Sequence, residues 1–224
     1  MTASDGILAN QIEQTLCSGM VLPEPIRRLF AWIELNGFFV DTANGRIGFL
    51  FSEAEMKRGW TDRGRPGGTE ITFAPEGNVN LKYWFRSDSA DILNRLCVFA
   101  KTGAEGSMAA FWIADDQSQK IVHLGSGSGS TTVCTLADNP IDFLRLLAIG
   151  YDEICWGDQF DEPPATEKGS FVVERNHAFV DWVTTEFGVS VPPRGTDIVK
   201  HVSSMADETS SDAFWQWVRR HTNF

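Results

Sequence analysis

The sequence predicts an α+β fold, with an antiparallel or mixed sheet of about six strands backed by N-terminal and C-terminal helices. Three observations support this class. Segments with helical spacing of apolar residues occur near both ends of the chain, the middle consists of short runs with alternating apolar residues, and those runs lie too close together for long helices between them. Parallel strands need a crossover of a dozen or more residues, whereas antiparallel strands can be joined by tight turns. The middle of the chain is therefore expected to form an antiparallel meander.

Two helices are predicted near the N-terminus. Residues 4–17 carry leucine and isoleucine at four-residue steps, which indicates one apolar helix face. Residues 22–36 give a stronger pattern, because Pro23 suits the first helical position, where a missing N–H leaves no hydrogen bond unmade. Gly37 follows as a C-terminal stop.

The strand-rich middle is punctuated by residues typical of turns. The Asn44-Gly45 pair precedes the first run, residues 75–77 supply turn-type residues after the second, and the stretches 103–106, 115–116 and 125–129 separate the later ones. The predicted strands are residues 46–51, 69–73, 81–85, 96–101, 109–113, 121–124 and 131–136.

Helical patterns return at Asn139, which is a favourable N-cap. Pro140 occupies the first helical position, and Asp142 places a negative charge in the first turn, where the helix dipole favours it. The remaining elements are predicted as a short strand at 170–173, a helix at 176–187 stopped by Gly188, and a last, separate helix at 212–219. We expect a single domain over residues 1–194 and a C-terminal tail with one helix over residues 195–224.

The charge balance restricts the class of partner. The chain carries 30 acidic and 19 basic residues, a formal charge of −11. Nucleic acid is not expected as a partner, because binding phosphates requires clustered lysine and arginine. A basic protein partner suits this charge, since opposite fields accelerate encounter. The same charge also serves solubility, so it does not by itself require a partner.

No targeting or membrane signal is visible in the sequence. No run of about 18 apolar residues is present, and the first 20 residues lack a basic stretch followed by an apolar run. We therefore expect a cytoplasmic protein that does not bind membranes.

The residue types that carry catalysis or metals occur without a recognisable spacing. No zinc motif or C-x-x-C pair exists, so the cysteines are expected to be buried free thiols. A nucleophilic pair of Cys97 or Cys134 with His123 stays open, because such partners meet only in space. We expect no catalytic residue, no cofactor and no metal. The residues concerned are Cys17, Cys97, Cys134, Cys155, His123, His177, His201 and His221.

The glycine- and serine-rich run at 125–130 superficially resembles a phosphate-binding loop. A dinucleotide fingerprint needs glycine at the sixth position and a following helix, but here Ser130 occupies that position and a β-type run follows. We interpret the run as a flexible hairpin turn.

One acidic and aromatic segment is a candidate partner-binding surface. Aromatic rings supply contact area and carboxylates complement a basic protein. The alternative is a solvated loop whose rings pack into the core, and a competing basic face lies at residues 58–65. The candidate residues are Tyr151, Asp152, Glu153, Trp156, Asp158, Phe160, Asp161 and Glu162.

Several segments, taken in order, resemble the SUKH superfamily. LPEPI at 22–26 leading to WIELNG at 32–37 is similar to the opening of those proteins. FWIAD at 111–115 and NPIDFLRLL at 139–147 resemble the last strands and the following helix, and the helix with FVDWV at 179–183 is similar to the tail helix of many members. The resemblance covers roughly residues 20–192, while 53–68 and the helix after 205 have no counterpart.

The resemblance implies a mixed sheet backed by helices and a role as an immunity protein that binds and neutralises a bacterial toxin, often a nuclease. Fungal relatives act instead as regulators of cell-wall synthesis through protein contacts. No catalytic residue set belongs to the family. Three hypotheses therefore stand in order: a toxin-neutralising protein, a regulatory scaffold that binds an endogenous partner, and an enzyme with a dispersed site.

Overall fold

A computed structural model describes residues 6–59, 64–68, 70–164 and 172–222. The nine strands within these ranges are β1 (Phe39–Thr42), β2 (Gly45–Phe49), β3 (Gly64–Pro66), β4 (Thr72–Gly77), β5 (Leu96–Lys101), β6 (Met108–Ile113), β7 (Gln119–Leu124), β8 (Val133–Ala137) and β9 (Val172–Glu174). The eight α-helices are α1 (Ile7–Glu13), α2 (Glu24–Leu35), α3 (Glu53–Gly59), α4 (Leu81–Phe85), α5 (Ala90–Leu93), α6 (Pro140–Ile149), α7 (His177–Phe187) and α8 (Ala213–His221).

The main sheet has seven strands in the order β1-β2-β4-β5-β6-β7-β8, and each neighbouring pair is antiparallel. The predicted α+β class is confirmed, with one strand more than expected. β3 and β9 form a separate parallel pair. The Asn44-Gly45 turn joins β1 to β2, with Gly45 at φ +118°, a conformation that glycine adopts without steric cost.

The sheet carries a hydrophobic core on each face. Successive side chains of a strand point to opposite faces, so Phe111 of β6 enters one core and Trp112 enters the other, each at most 1% exposed. Helices α1, α2, α6 and α7 cover the first core, whereas α4, α5 and α8 cover the second. None of the helices in the described ranges has both the length and the apolar character that crossing a bilayer requires.

The C-terminal segment is part of this layered architecture. α8 buries Phe214 and Trp217 in the second core. The chain before it covers the edge of β8, where the amide of Val133 donates to the carbonyl of Ser203 (2.8 Å). The segment that the sequence separates as a tail therefore completes the second layer and shields an edge strand from further pairing.

The predicted strand at 81–85 is wrong, since these residues form helix α4. A strand would place Leu81, Tyr83 and Phe85 on one face, but Leu81 and Phe85 are buried while Tyr83 is 70% exposed. Burial at a four-residue spacing is the helical pattern. A short apolar run is compatible with both the strand period and the helix period, and here packing against the second core selects the helix.

Candidate partner-binding surface

The acidic segment begins where α6 ends. Asn139 caps that helix by accepting from the amide of Asp142 (2.9 Å), as its sequence predicts, and Gly150 ends it at φ +99°. Tyr151 and Phe160 then turn inward, with ring centroids 5.5 Å apart. The prediction that these two rings face a partner is corrected by the structure, because they are only 3% and 0% exposed. They belong to the first core, whose apolar environment favours them over water.

The Tyr151 hydroxyl closes the segment into a loop. It donates to the carbonyl of Glu162 (2.7 Å) and accepts from the amide of Gly195 (2.9 Å). Gly195 packs directly against Phe160, and a Cβ added at Gly195 would lie 2.7 Å from the ring. The two ends of the loop, near residues 151 and 162, are therefore held together beside the buried rings of Tyr151 and Phe160.

Two threonines at the ends of sheet strands hold the middle of the segment through hydrogen bonds. The carbonyl of Thr102 accepts from the amide of Ile154 (3.0 Å), and the hydroxyl of Thr132 accepts from the amide of Gly157 (3.1 Å). Buried His123 bridges the same two residues, through Nε2 to the Thr102 hydroxyl (2.9 Å) and through Nδ1 to the Thr132 carbonyl (2.8 Å). Since a carbonyl only accepts, Nδ1 carries the proton and Nε2 accepts.

The carboxylates of the segment divide into two groups. Asp158, Asp161 and Glu162 are exposed, and no cation of the described chain lies within ion-pair distance of them. Glu153 is half-buried and already accepts from the amide of Ala104 (2.9 Å) and from the indole N–H of Trp156. We define the acidic surface as Asp158, Asp161 and Glu162 together with the half-buried ring of Trp156.

A recess of about 440 Å³ adjoins the acidic surface. Its walls include Trp156 and Asp158 together with Val202 and Asp207. No sequence pattern points to Val202 and Asp207, because they lie more than 40 positions after Asp158 and are brought here by the pairing of the C-terminal segment with Thr132 and the start of β8. Asp152, the remaining candidate, is half-buried.

The buried thiols and His123 do not form the nucleophilic pair that the sequence left open. Both ring nitrogens of His123 are occupied by the threonines, and burial lowers the pKa of the imidazole to about 4. Burial also raises the pKa of the Cys97 thiol to about 11 and that of Cys134 further still. These groups are a neutral imidazole and protonated thiols at neutral pH, and all four cysteines are free.

The other sequence candidates also have defined places. Gly125 and Gly127 donate their amides to the carbonyls of Thr132 (2.8 Å) and Ser130 (2.9 Å), so the run at 125–130 is a hairpin connection between β7 and β8, as predicted. Within the described ranges, no group of three or more His, Cys, Asp or Glu is arranged to hold a metal ion. The competing basic face at 58–65 falls largely outside the described residues.

Comparison of the chain with family models, with curated proteins and with solved structures gave no match. The resemblance to the SUKH superfamily therefore rests on the sequence segments alone.

Proposed function

We propose that this chain is an immunity protein that binds and neutralises a basic bacterial toxin in the cytoplasm, with the acidic surface as its docking face. The observation that carries the proposal is that exposed carboxylates lie on a segment held in place by buried aromatic side chains. Asp158, Asp161 and Glu162 have no counter-ion in the described chain, yet the segment that presents them is fixed by Tyr151 and Phe160.

A fixed acidic loop favours binding in two ways. Ordering a flexible loop on association costs conformational entropy, and a loop held in place beforehand avoids much of that cost. Uncompensated carboxylates on a chain of formal charge −11 attract a basic partner over distances up to the Debye length, about 8–10 Å at moderate salt. The SUKH resemblance supports the same conclusion independently of the site, and the four free thiols suit a reducing compartment.

The test begins with co-purification of the chain with the product of the adjacent gene, followed by binding kinetics with that product if it is a toxin. Reversing Asp158, Asp161 and Glu162 to lysine is expected to slow association at least tenfold at low salt and less at high salt, because salt screens the field. Trp156→Ala is expected to raise the dissociation rate instead, since the exposed part of this half-buried ring contributes contact area after docking.

A matched control separates local from global charge. Lysine substitutions at Asp88, Asp91 and Asp181 change the net charge equally, and these carboxylates are exposed and lie on other elements. The control variant should retain most of the association rate. Equal slowing in both variants would remove the acidic surface as the docking face. Tight binding to an endogenous protein without protection of cells from the toxin would identify a regulatory scaffold.

A further inference from the structure

A second concave site is lined by residues of the same hairpin at 125–130. It is a cavity of about 650 Å³ between α4, this hairpin and the end of α8. We call it the aromatic groove, and its lining includes Tyr83, Trp84, Arg86, Ser126, Ser128 and His221. Its volume lies within the range of roughly 300–1,000 Å³ that is typical of small-molecule sites.

One wall of the groove is a rigid extension of the second core. The Trp84 indole N–H donates to the carbonyl of Gly125 (2.7 Å), which ties α4 to the hairpin. Rings then follow one another from Trp84 to Phe85 (4.6 Å), to Trp217 (5.7 Å) and to His221 (4.7 Å). Beside this wall Tyr83 is 70% exposed, and Lys82 Nζ lies over its ring at 5.0 Å from the centroid, so one face of the ring is left for a planar ligand.

Arg86 occupies an unusual backbone position at the mouth of the groove. It ends α4 in the left-handed region, with φ 49° and ψ 38°, and the next amide, of Ser87, closes the helix end by donating to the carbonyl of Lys82 (3.0 Å). Glycine usually fills such a position, because a Cβ is strained there. The guanidinium is exposed and forms no ion pair or hydrogen bond within the described chain, so no internal contact explains an arginine here.

Polar groups face Arg86 across the groove. The hairpin supplies the exposed hydroxyl of Ser128, whereas Ser126 is held in place, because its Oγ accepts from the amide of Gly129 (3.1 Å) and its hydroxyl is hydrogen-bonded to the Glu105 carboxylate. His221 donates from Nδ1 to the carbonyl of Trp217 (2.8 Å), which leaves Nε2 as an acceptor for a hydroxyl or N–H of a ligand and not as a donor to its anionic group. A cation with hydroxyl donors is the usual donor set for a phosphate or carboxylate.

We propose that the aromatic groove binds a small phosphate monoester of a planar ring, of the size of a nucleoside monophosphate. The ring packs on Tyr83 and Trp84, and the phosphate contacts the Arg86 guanidinium and the Ser128 hydroxyl. The overall charge of −11 does not oppose this, because one phosphate meets a local, uncompensated cation, whereas a polynucleotide would meet the whole field. This site is separate from the acidic surface, so it stands or falls independently of the proposed function.

The test is calorimetric titration of the full chain, supported by quenching of tryptophan fluorescence. The probes are adenosine monophosphate, uridine monophosphate and phenyl phosphate, with adenosine and inorganic phosphate as matched half-ligands. We expect saturable binding of at least one ester, at least tenfold tighter than either half-ligand. Equal affinity for adenosine and its monophosphate, or no saturable signal with any probe, would overturn the proposal.

Variants then locate the site. Arg86→Gly removes the guanidinium while suiting the left-handed backbone, so it should reduce affinity at least tenfold without lowering the unfolding temperature. Gln117→Gly is the matched backbone control, because Gln117 is the other non-glycine residue of the described chain with positive φ (65°) and lies in the β6–β7 turn. Lys57→Gln controls for loss of one exposed cation. Unchanged affinity in Arg86→Gly would reject the groove as the site.

Discussion

The acidic surface and the aromatic groove are both built from segments that combine aromatic and charged residues, but the two segments expose different side chains. Between residues 151 and 162, the rings of Tyr151 and Phe160 are buried, whereas the carboxylates of Asp158, Asp161 and Glu162 face solvent. In α4 and its C-cap, Tyr83 and Arg86 both face solvent, and the buried positions belong to Leu81 and Phe85. Composition therefore identifies a segment that mixes aromatic and charged residues, whereas packing against neighbouring elements decides which of its side chains are exposed.

The largest expected effect is a loss of stability on removing one of the buried rings that hold the acidic surface in place. Phe160→Ala should lower the free energy of unfolding by about 3–5 kcal/mol, because it removes a fully buried ring and leaves a cavity against Gly195. Chemical denaturation measures this value, and Tyr83→Ala, at an exposed ring, should change it by no more than about 0.5 kcal/mol. Similar losses in both variants would show that the two regions are not distinguished by burial.

The next effect concerns pH. The pKa of His123 is about 4 in the folded chain, against 6.5 for the free side chain, because burial disfavours the charged form. Since the unfolded chain binds this proton first, the contribution to stability is complete above pH 6.5 and is lost as the pH falls towards 4, by roughly 3 kcal/mol in total. Denaturant melts across this window should show the loss in the wild type and a flatter profile in His123→Gln.

Because His123 bridges the threonines that hold the acidic segment, the loss should be visible locally. Hydrogen exchange at the amides of Ile154 and Gly157 should accelerate on acidification before exchange in α4 does. Simultaneous acceleration in both regions would mean that the histidine supports the whole fold and not the acidic segment in particular.

A smaller effect tests the Tyr151 hydroxyl. Tyr151→Phe keeps the ring but removes the group that accepts from the amide of Gly195 and donates to Glu162, so we expect a loss of about 1–3 kcal/mol from buried groups left unpaired. Thermal unfolding gives the stability. Faster exchange near residue 195 would locate the effect, and unchanged stability would show that water replaces the hydroxyl.

The smallest effect has the opposite sign. Arg86→Gly should raise the free energy of unfolding by up to about 1 kcal/mol, because it relieves a left-handed backbone that costs an L-residue energy. Gln117→Gly should behave similarly, for the same reason. A clear loss of stability in Arg86→Gly alone would reveal an internal role for the guanidinium and would weaken the contrast between the two regions.

Local patterns predicted the elements whose signals are contained within one segment. The strand at 96–101 and the helix that Asn139 caps are confirmed with the predicted residues, because alternation and capping chemistry are both read within a few positions. The run at 81–85 was assigned the wrong period, since five residues are too few to separate a strand from a helix. The recess walls at Val202 and Asp207 had no local signal at all.

Sequence patterns alone were enough to predict the α+β class, the meander, the ends of α2, α6, α7 and α8 to within about two residues, and the acidic, aromatic segment after α6. Only the tertiary structure decided that Tyr151 and Phe160 are anchors, that Asp158, Asp161 and Glu162 are displayed, and that α8 covers the second face of the sheet. The physical reason is that periodicity, caps and turns depend on neighbours in the chain, whereas burial depends on which distant element arrives to exclude water.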